Sequence, residues 1–344
     1  MNPLALSIVL SSLAIGTITT LSSYHWLLAW AGLEINTLAM IPLMTHQHHP
    51  RSVEASVKYF LIQAAASALI LFSSINNAWD TGEWSITNML NPLSTTALTI
   101  ALCMKLGLAP FHFWLPEVLQ GLNLTTGLIL STWQKIAPVA LMFLTQNSLK
   151  PEILLTAGLI SALVGGWGGL NQTHLRKILA FSSIAHLGWM ATILTMSPKL
   201  ALLNFTIYLI MTTALFLSLK QTSSTKIKTL SMSWQKSPVI SSLSVLTLLS
   251  LGGLPPLSGF MPKWLIIQEL TKQNINTMAT IMALSALLSL FFYLRLSYAT
   301  SLTTHPSTNN TQTSYNTTSK QPSLLLATML SLSILLLPIT PLLS

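Results

Sequence analysis

Apolar stretches of about 20 residues, each closed by a short polar or basic connection, recur along the whole of this sequence. A helix of that length rises 1.5 Å per residue and so crosses a hydrocarbon core ~30 Å thick. On that ruler the pattern predicts about eleven spans, over residues 3–22, 25–45, 55–76, 94–119, 123–146, 151–171, 174–196, 199–220, 239–270, 275–300 and 322–343. Between them the longest polar stretches are 77–92, 221–238 and 301–321, the last reading as a polar linker. The expected fold is therefore an all-α polytopic membrane protein, a single transmembrane domain over residues 1–344. Its connections are too short to hold a nucleotide- or flavin-binding domain. Residues 3–22 lack both a basic leading region and an Arg-rich amphipathic pattern, so they read as the first span rather than a targeting segment.

Composition narrows the class further. The 344 residues are 51% hydrophobic and only 7% charged, against ~25% charged in soluble domains, and mean hydropathy is +0.63. A soluble enzyme is excluded. Cys103 is the single cysteine, which rules out an intrachain disulfide and any multi-cysteine iron–sulfur or zinc site. The net charge of +9 comes from basic residues scattered through loops, so no nucleic-acid partner is expected. Their distribution sets an orientation. Connections after even-numbered spans hold Arg51, Arg176, Lys177, Lys226, Lys228, Lys236 and Lys320. Those after odd-numbered spans hold Lys150, Lys199 and Lys272 together with Asp80 and Glu83. The N-terminus is then expected on the positive inner face, which in a mitochondrion is the matrix.

An internal repeat adds architecture. Gly107-Leu108-x-Pro110-x5-Pro116-Glu117 matches Gly253-Leu254-x-Pro256-x5-Pro262-Lys263 at identical offsets, in the fourth and ninth spans. Copies five helices apart run in opposite senses through a membrane, and Gly/Pro-broken helices at matching places in inverted repeats point to an ion site at mid-depth. The expected plan is two inverted five-helix repeats, about 3–146 and 151–300, plus a terminal helix at about 322–343.

Against this apolar background a few ionisable residues stand out. Glu34, Lys105 and Lys135 lie well inside predicted spans, Lys105 roughly 16 Å deep at the helical rise, and Lys263 follows the second broken segment. A charge at mid-bilayer costs at least ~3 kcal/mol, and such residues are rare and usually functional. Burial penalises the charged form of an ionisable group and a nearby opposite charge restores it, so a set of coupled buried groups can load and release protons. His112, in the first broken segment, and His186, in the seventh span, are candidate relays, because imidazole titrates near pH 6.5; each also reads as a polar group satisfied by backbone. His46, His48 and His49 have metal-like spacing but sit in a Pro-bounded loop and read as solvated. Glu54 and Lys58 form an i,i+4 pair at a surface. The GGWGG run places Gly165 and Gly169 at the spacing of close helix packing.

Three long motifs then resemble one family. LAPFHFWLPEV (108–118), QTHLRKILAFSSIAHLGWM (172–190) and GGLPPLSGFMPKW (252–264) are similar to the proton-pumping, antiporter-like membrane subunits of respiratory complex I, and the resemblance covers essentially the whole chain. It implies a subunit of the proton-translocating NADH:ubiquinone oxidoreductase in the mitochondrial inner membrane, assembled with other membrane-arm subunits and lipids. It also implies that NADH oxidation, flavin, iron–sulfur clusters and quinone reduction belong to other subunits, leaving no cofactor and no metal in this chain. The family's buried glutamate falls on Glu34, the lysine before its first helix break on Lys105, its linking lysine on Lys135, and the ionisable residue of its second broken helix on Lys263. Two other readings stay open on the residues alone: a free-standing cation/proton antiporter, and a structural subunit whose charges are static ion pairs.

Overall fold

The computed structural model describes residues 2–46, 48–302 and 324–339. These residues are all-helical; the only extended pairings among them are isolated bridges, His25 with Ser85 and His174 with Lys226. In chain order the helices are α1 (Pro3–Ser22), α2 (Trp26–Thr45), α3 (Pro50–Thr81), α4 (Pro92–Leu106) and α5 (Trp114–Gly121). Then come α6 (Leu124–Ser131), α7 (Trp133–Leu144), α8 (Pro151–Gly168), α9 (Leu175–Leu194) and α10 (Pro198–Gln221). The last are α11 (Ile227–Ser231), α12 (Ser233–Lys236), α13 (Pro238–Gly252), α14 (Phe260–Lys272), α15 (Asn276–Ser301) and α16 (Leu324–Leu335). Among the described residues, eight helical stretches are long and apolar enough to cross a membrane, and α4, α13 and α16 are apolar but shorter.

Local chemistry explains the boundaries. Proline opens α1, α3, α4, α8, α10 and α13, where its missing N–H is one the helix end leaves unpaired anyway. The side chains of His25, His49 and Asn91 accept N–H groups of the first turns of α2, α3 and α4. The many serines and threonines inside apolar helices turn their hydroxyls back onto carbonyls three or four residues earlier, as Ser73 does to Ile70 at 2.7 Å and Thr145 to Leu141 at 2.7 Å. Most of these hydroxyls are thereby satisfied within their own helix, as a low-dielectric setting favours; Ser94 Oγ in α4 and Ser233 Oγ in α12 are exceptions among the described residues.

Several expected spans take a different shape. The 94–119 span divides into α4 and α5, and the 239–270 span into α13 and α14. The 123–146 span is interrupted at Thr132, whose hydroxyl donates to Leu128 O at 2.7 Å and whose φ/ψ of −116°/−70° are distorted from ideal helical values. The polar stretch 221–238 is not simple loop but carries α11 and α12. Most of the 301–321 linker and parts of the 322–343 span lie outside the described residues; within them α16 is helical.

The chain divides into two compact units, Met1–Ser161 with Ala191–Pro198, and Ala162–Met190 with Lys199–Ser344. In the first, α1 and α2 meet through glycine. A Cβ built on Gly16 would stand 2.5 Å from Asn36 Oδ1 and 2.9 Å from Gly32 O; one on Gly32 would stand 2.5 Å from Thr19 Oγ1 and 2.9 Å from Gly16 O. Backbone oxygens cannot rotate away. Gly32→Val is therefore expected to destabilise the crossing by on the order of 1–3 kcal/mol, read as a lower yield of assembled protein on native electrophoresis; an undiminished yield contradicts the close approach. In the second unit the GGWGG run packs on both sides. A Cβ on Gly165 would meet Ala185 N at 2.7 Å, and one on Gly169 would meet Phe292 Cδ1 at 2.8 Å, so this stretch lies tight against α9 and α15.

Candidate functional site

In each unit one helix is broken at a glycine, and these two breaks are built alike. α4 ends at Gly107, whose φ of +74° lets its N–H turn back to Cys103 O at 3.0 Å while Leu108 N–H reaches the same oxygen at 3.0 Å. α13 ends at Gly253, with φ of +85°, and its N–H reaches Leu249 O at 3.2 Å and Ser250 O at 3.0 Å. This left-handed termination suits glycine, which has no Cβ to clash. The chain restarts as α5 and α14, each with its proline at the third position.

In the first unit Lys105 sits in the last turn of α4, where a cation is favoured by the unpaired carbonyls of the helix end. It is 5% exposed, and its Nζ has no hydrogen-bond partner among the described residues. Lys135, on α7, is 4% exposed. It lies between two disruptions of its helix, Thr132 before it and Pro138 after it, and a proline there frees the carbonyl of Gln134. Lys105 and Lys135 line one cavity, together with Asn36, Tyr59, Gln63 and Gln134. It offers ≈ 20 Å³ to water centres, where a single water needs ~10–15 Å³ and a few polar partners.

Those partners are present. Tyr59 Oη donates to Gln134 Oε1 at 3.5 Å, Gln134 Nε2 donates to Asn36 O at 3.3 Å, and Gln63 Nε2 donates to Lys105 O at 3.3 Å. The buried side-chain amide of Asn36 and the indole N–H of Trp114, both on the cavity wall, have no partner among the described residues. Buried polar groups are normally bonded, so a cluster of orphans around a space large enough for water marks a wet site. Glu34, half-buried on α2, acts electrostatically on both Lys105 and Tyr59. Its buried Oε2 makes no hydrogen bond among the described residues.

His112 lies in the first break, buried, with its ring 4.2 Å from that of Phe113 and Nδ1 unbonded among the described residues. It does not line the cavity. In the second unit Lys263, on α14, is 8% exposed and reaches back across the break. Its Nζ donates to Gly252 O at 3.0 Å and to Leu251 O at 3.4 Å, the carbonyls that the end of α13 leaves open. The repeat offsets place Leu251 where the first copy has Lys105. One carbonyl position is thus capped in both breaks, by the neutral amide of Gln63 in the first and by an ammonium in the second. His186, buried on α9, has its ring 5.6 Å from Tyr208, and Asn204 Nδ2 donates to its carbonyl at 3.5 Å.

Sequence reasoning passed over Asn36, Tyr59, Gln63 and Gln134. A signal was available: Tyr59, Gln63 and Ser67 recur every fourth residue and so share one face of α3, while Asn36 and Gln134 lie within two residues of Glu34 and Lys135. Lys58 also departs from expectation. Besides the local contact with Glu54 at 2.6 Å, its Nζ lies 2.6 Å from Glu117 on α5, tying α3 to the restarted half-helix. No group of residues suited to hold a metal occurs among those described, and His49 instead caps α3.

The likenesses to known proteins cover the same ground. A family model described as "NADH:quinone oxidoreductase/Mrp antiporter, TM" matches residues 23–289, and one described as "NADH dehydrogenase subunit 2 C-terminus" matches residues 290–344. NADH-ubiquinone oxidoreductase chain 2 of Xenopus laevis is 67% identical over 342 residues, covering 99% of both chains. The protein of that name from Squalus acanthias is 63% identical over 341 residues, covering 99% of this chain and 98% of its own. Among solved structures, a chain of respiratory complex I from Thermus thermophilus superposes with a TM-score of 0.84 at 27% identity, covering 98% of this chain and 80% of that one.

Proposed function

Since the chain belongs to the NADH:quinone oxidoreductase/Mrp antiporter family, as a chain 2 member, we propose that it is a core membrane-arm subunit of respiratory complex I. It carries protons across the mitochondrial inner membrane, driven by electron transfer from NADH to ubiquinone in other subunits. The observation that carries this reading is the wet cavity shared by two buried lysines, Lys105 and Lys135. Water in that cavity bonds to Asn36 and Trp114 and relays a proton from the ammonium of one lysine to the neutral amine of the other. Glu34 modulates Lys105 through its charge.

Gln63 caps the open carbonyl of Lys105, leaving that ammonium available to the cavity. Lys263 serves the second unit, and its proton is held partly by the carbonyls of Gly252 and Leu251. His112 and His186 are relays in their respective units. The architecture is eleven spans, made by joining each broken pair and adding α16, in two inverted five-helix repeats with a terminal helix. The distribution of lysine and arginine supports an N-terminus on the matrix side. The chain itself binds no flavin, iron–sulfur cluster, quinone or metal, and its partners are other membrane-arm subunits and lipids.

The test is Glu34→Gln in the assembled complex, reconstituted in sealed proteoliposomes. The variant keeps volume and polarity and loses only the charge. Turnover and proton uptake together are expected to fall a few-fold, up to roughly tenfold, with assembly unchanged. Unaltered turnover and proton yield would remove Glu34 from the path.

A further inference from the structure

The second unit is strongly basic in one place and has no acid there to balance it. Between Glu152 and Glu269 the sequence contains no aspartate or glutamate, and Glu269, the one acidic residue of this unit, is engaged by Lys272 at 3.5 Å. Yet Lys177 stands in the first turn of α9, Lys220 in the last turn of α10, and Lys226 and Lys228 just beyond. The fold brings these together. Leu175 N–H donates to Thr225 O at 3.1 Å and Ile227 N–H to Thr173 O at 3.2 Å, clamping the connection after α10 onto the start of α9. Arg295 of α15 donates to Leu170 O at 2.5 Å, and α15 packs against α11.

On that platform α11 lies with Leu230 buried against a leucine cluster that includes Leu175, Leu179 and Leu219, while Lys220, Lys226 and Lys228 are exposed. Exposed apolar side chains follow on the same segment, Met232 and Val239, and at the end of α15, which packs against α11, Leu302. Trp234 is half-buried in α12 and Tyr298 is exposed near the end of α15, the residue types that seat at headgroup level. Cations at the ends of spanning helices, beside exposed apolar side chains and amphipathic rings, match a molecule carrying a phosphate and an acyl chain. An acidic protein segment would be served by the charge but not by the apolar neighbours.

We propose that the segment from Lys220 to Val239 is a binding site for an anionic phospholipid, whose phosphate sits among Lys220, Lys226 and Lys228 and whose chains run along Met232, Val239 and Leu302. The clamp to α9 fixes the backbone around Lys226 and Lys228 before the lipid arrives, so only their side chains must be ordered on binding.

The experiment places the assembled complex in nanodiscs carrying a photoactivatable phosphatidylglycerol or a photoactivatable phosphatidylcholine, and maps the labelled peptides by mass spectrometry. The anionic probe is expected to label residues 220–239 at least about 25-fold more than the zwitterionic one, and each lysine neutralised in Lys226→Gln and Lys228→Gln should lower that preference about fivefold. Equal labelling by the two probes overturns the proposal. So does labelling that excess inorganic phosphate abolishes, which would assign the site to a free anion. So does cross-linking of these lysines to a neighbouring polypeptide with neither lipid reaching them. If the lysine variants do not assemble, the comparison of probes on the unaltered complex decides alone.

Discussion

Lys135→Met in the assembled complex is expected to abolish proton translocation and to lower NADH:ubiquinone turnover at least ~100-fold, at the low end of what a positioned proton-transfer group contributes. The side chain is 4% exposed and faces a cavity shared with Lys105. Methionine keeps an unbranched chain of similar volume, so packing around α7 is preserved, and what disappears is the protonatable nitrogen. Lys135→Arg separates the two accounts of that nitrogen. Guanidinium keeps the charge but does not release its proton in proteins. A relay therefore fails in the arginine variant as in the methionine one, whereas a static ion pair survives it. Proton uptake by reconstituted vesicles and the rate of NADH oxidation read both outcomes. Near-normal pumping in Lys135→Met would end the lysine's assignment, and near-normal pumping in Lys135→Arg alone would make it structural.

What sequence could and could not reveal follows from the range of each interaction. The broken helices are readable because their cause is local. A glycine at positive φ followed by prolines interrupts a helix whatever surrounds it, and Gly107 and Gly253 do so at matching places. The burial of Lys105, Lys135 and Lys263 is readable because charge within an apolar run has nowhere else to go over 20 residues. The cavity is different. It forms where α2, α3, α4 and α7 meet, and Tyr59, Gln63 and Gln134 resemble the polar residues of any amphipathic helix until the facing helix is known. Lys58 shows the same limit. Its i,i+4 partner is legible, but its second partner, Glu117, lies 59 residues away and becomes a neighbour only once α5 has folded back against α3. Nor does sequence distinguish Gln63 capping one break from Lys263 capping the other, since both depend on a side chain crossing to a carbonyl on another helix.

That capped second break supports the sharpest structural expectation. Gly259 opens α14 opposite the end of α13, and a Cβ placed there would overlap Ser250 O and stand 2.8 Å from Ser250 C. Its φ of −71° is open to any residue, so the requirement is space and not backbone conformation. Ser250 O is a main-chain atom at the end of a helix and cannot turn aside; α13 and α14 must separate to admit even a methyl group. Separation moves the Lys263 ammonium away from Gly252 O and Leu251 O, leaving buried carbonyls unbonded at roughly 1–3 kcal/mol each. Gly259→Ala is therefore expected to lower the amount of assembled complex at least tenfold, since the sum of overpacking and lost capping exceeds about 2 kcal/mol. Gly253→Ala offers a graded comparison. Its φ of +85° imposes strain of about 1–2 kcal/mol, while its Cβ would meet only the flexible Lys263 side chain, 3.1 Å away at Cδ. Native electrophoresis of the two variants should rank Gly259→Ala well below Gly253→Ala, and Gly253→Ala below the unaltered chain. The reverse order would mean that backbone conformation, rather than the close approach of α14 to α13, holds the second break together.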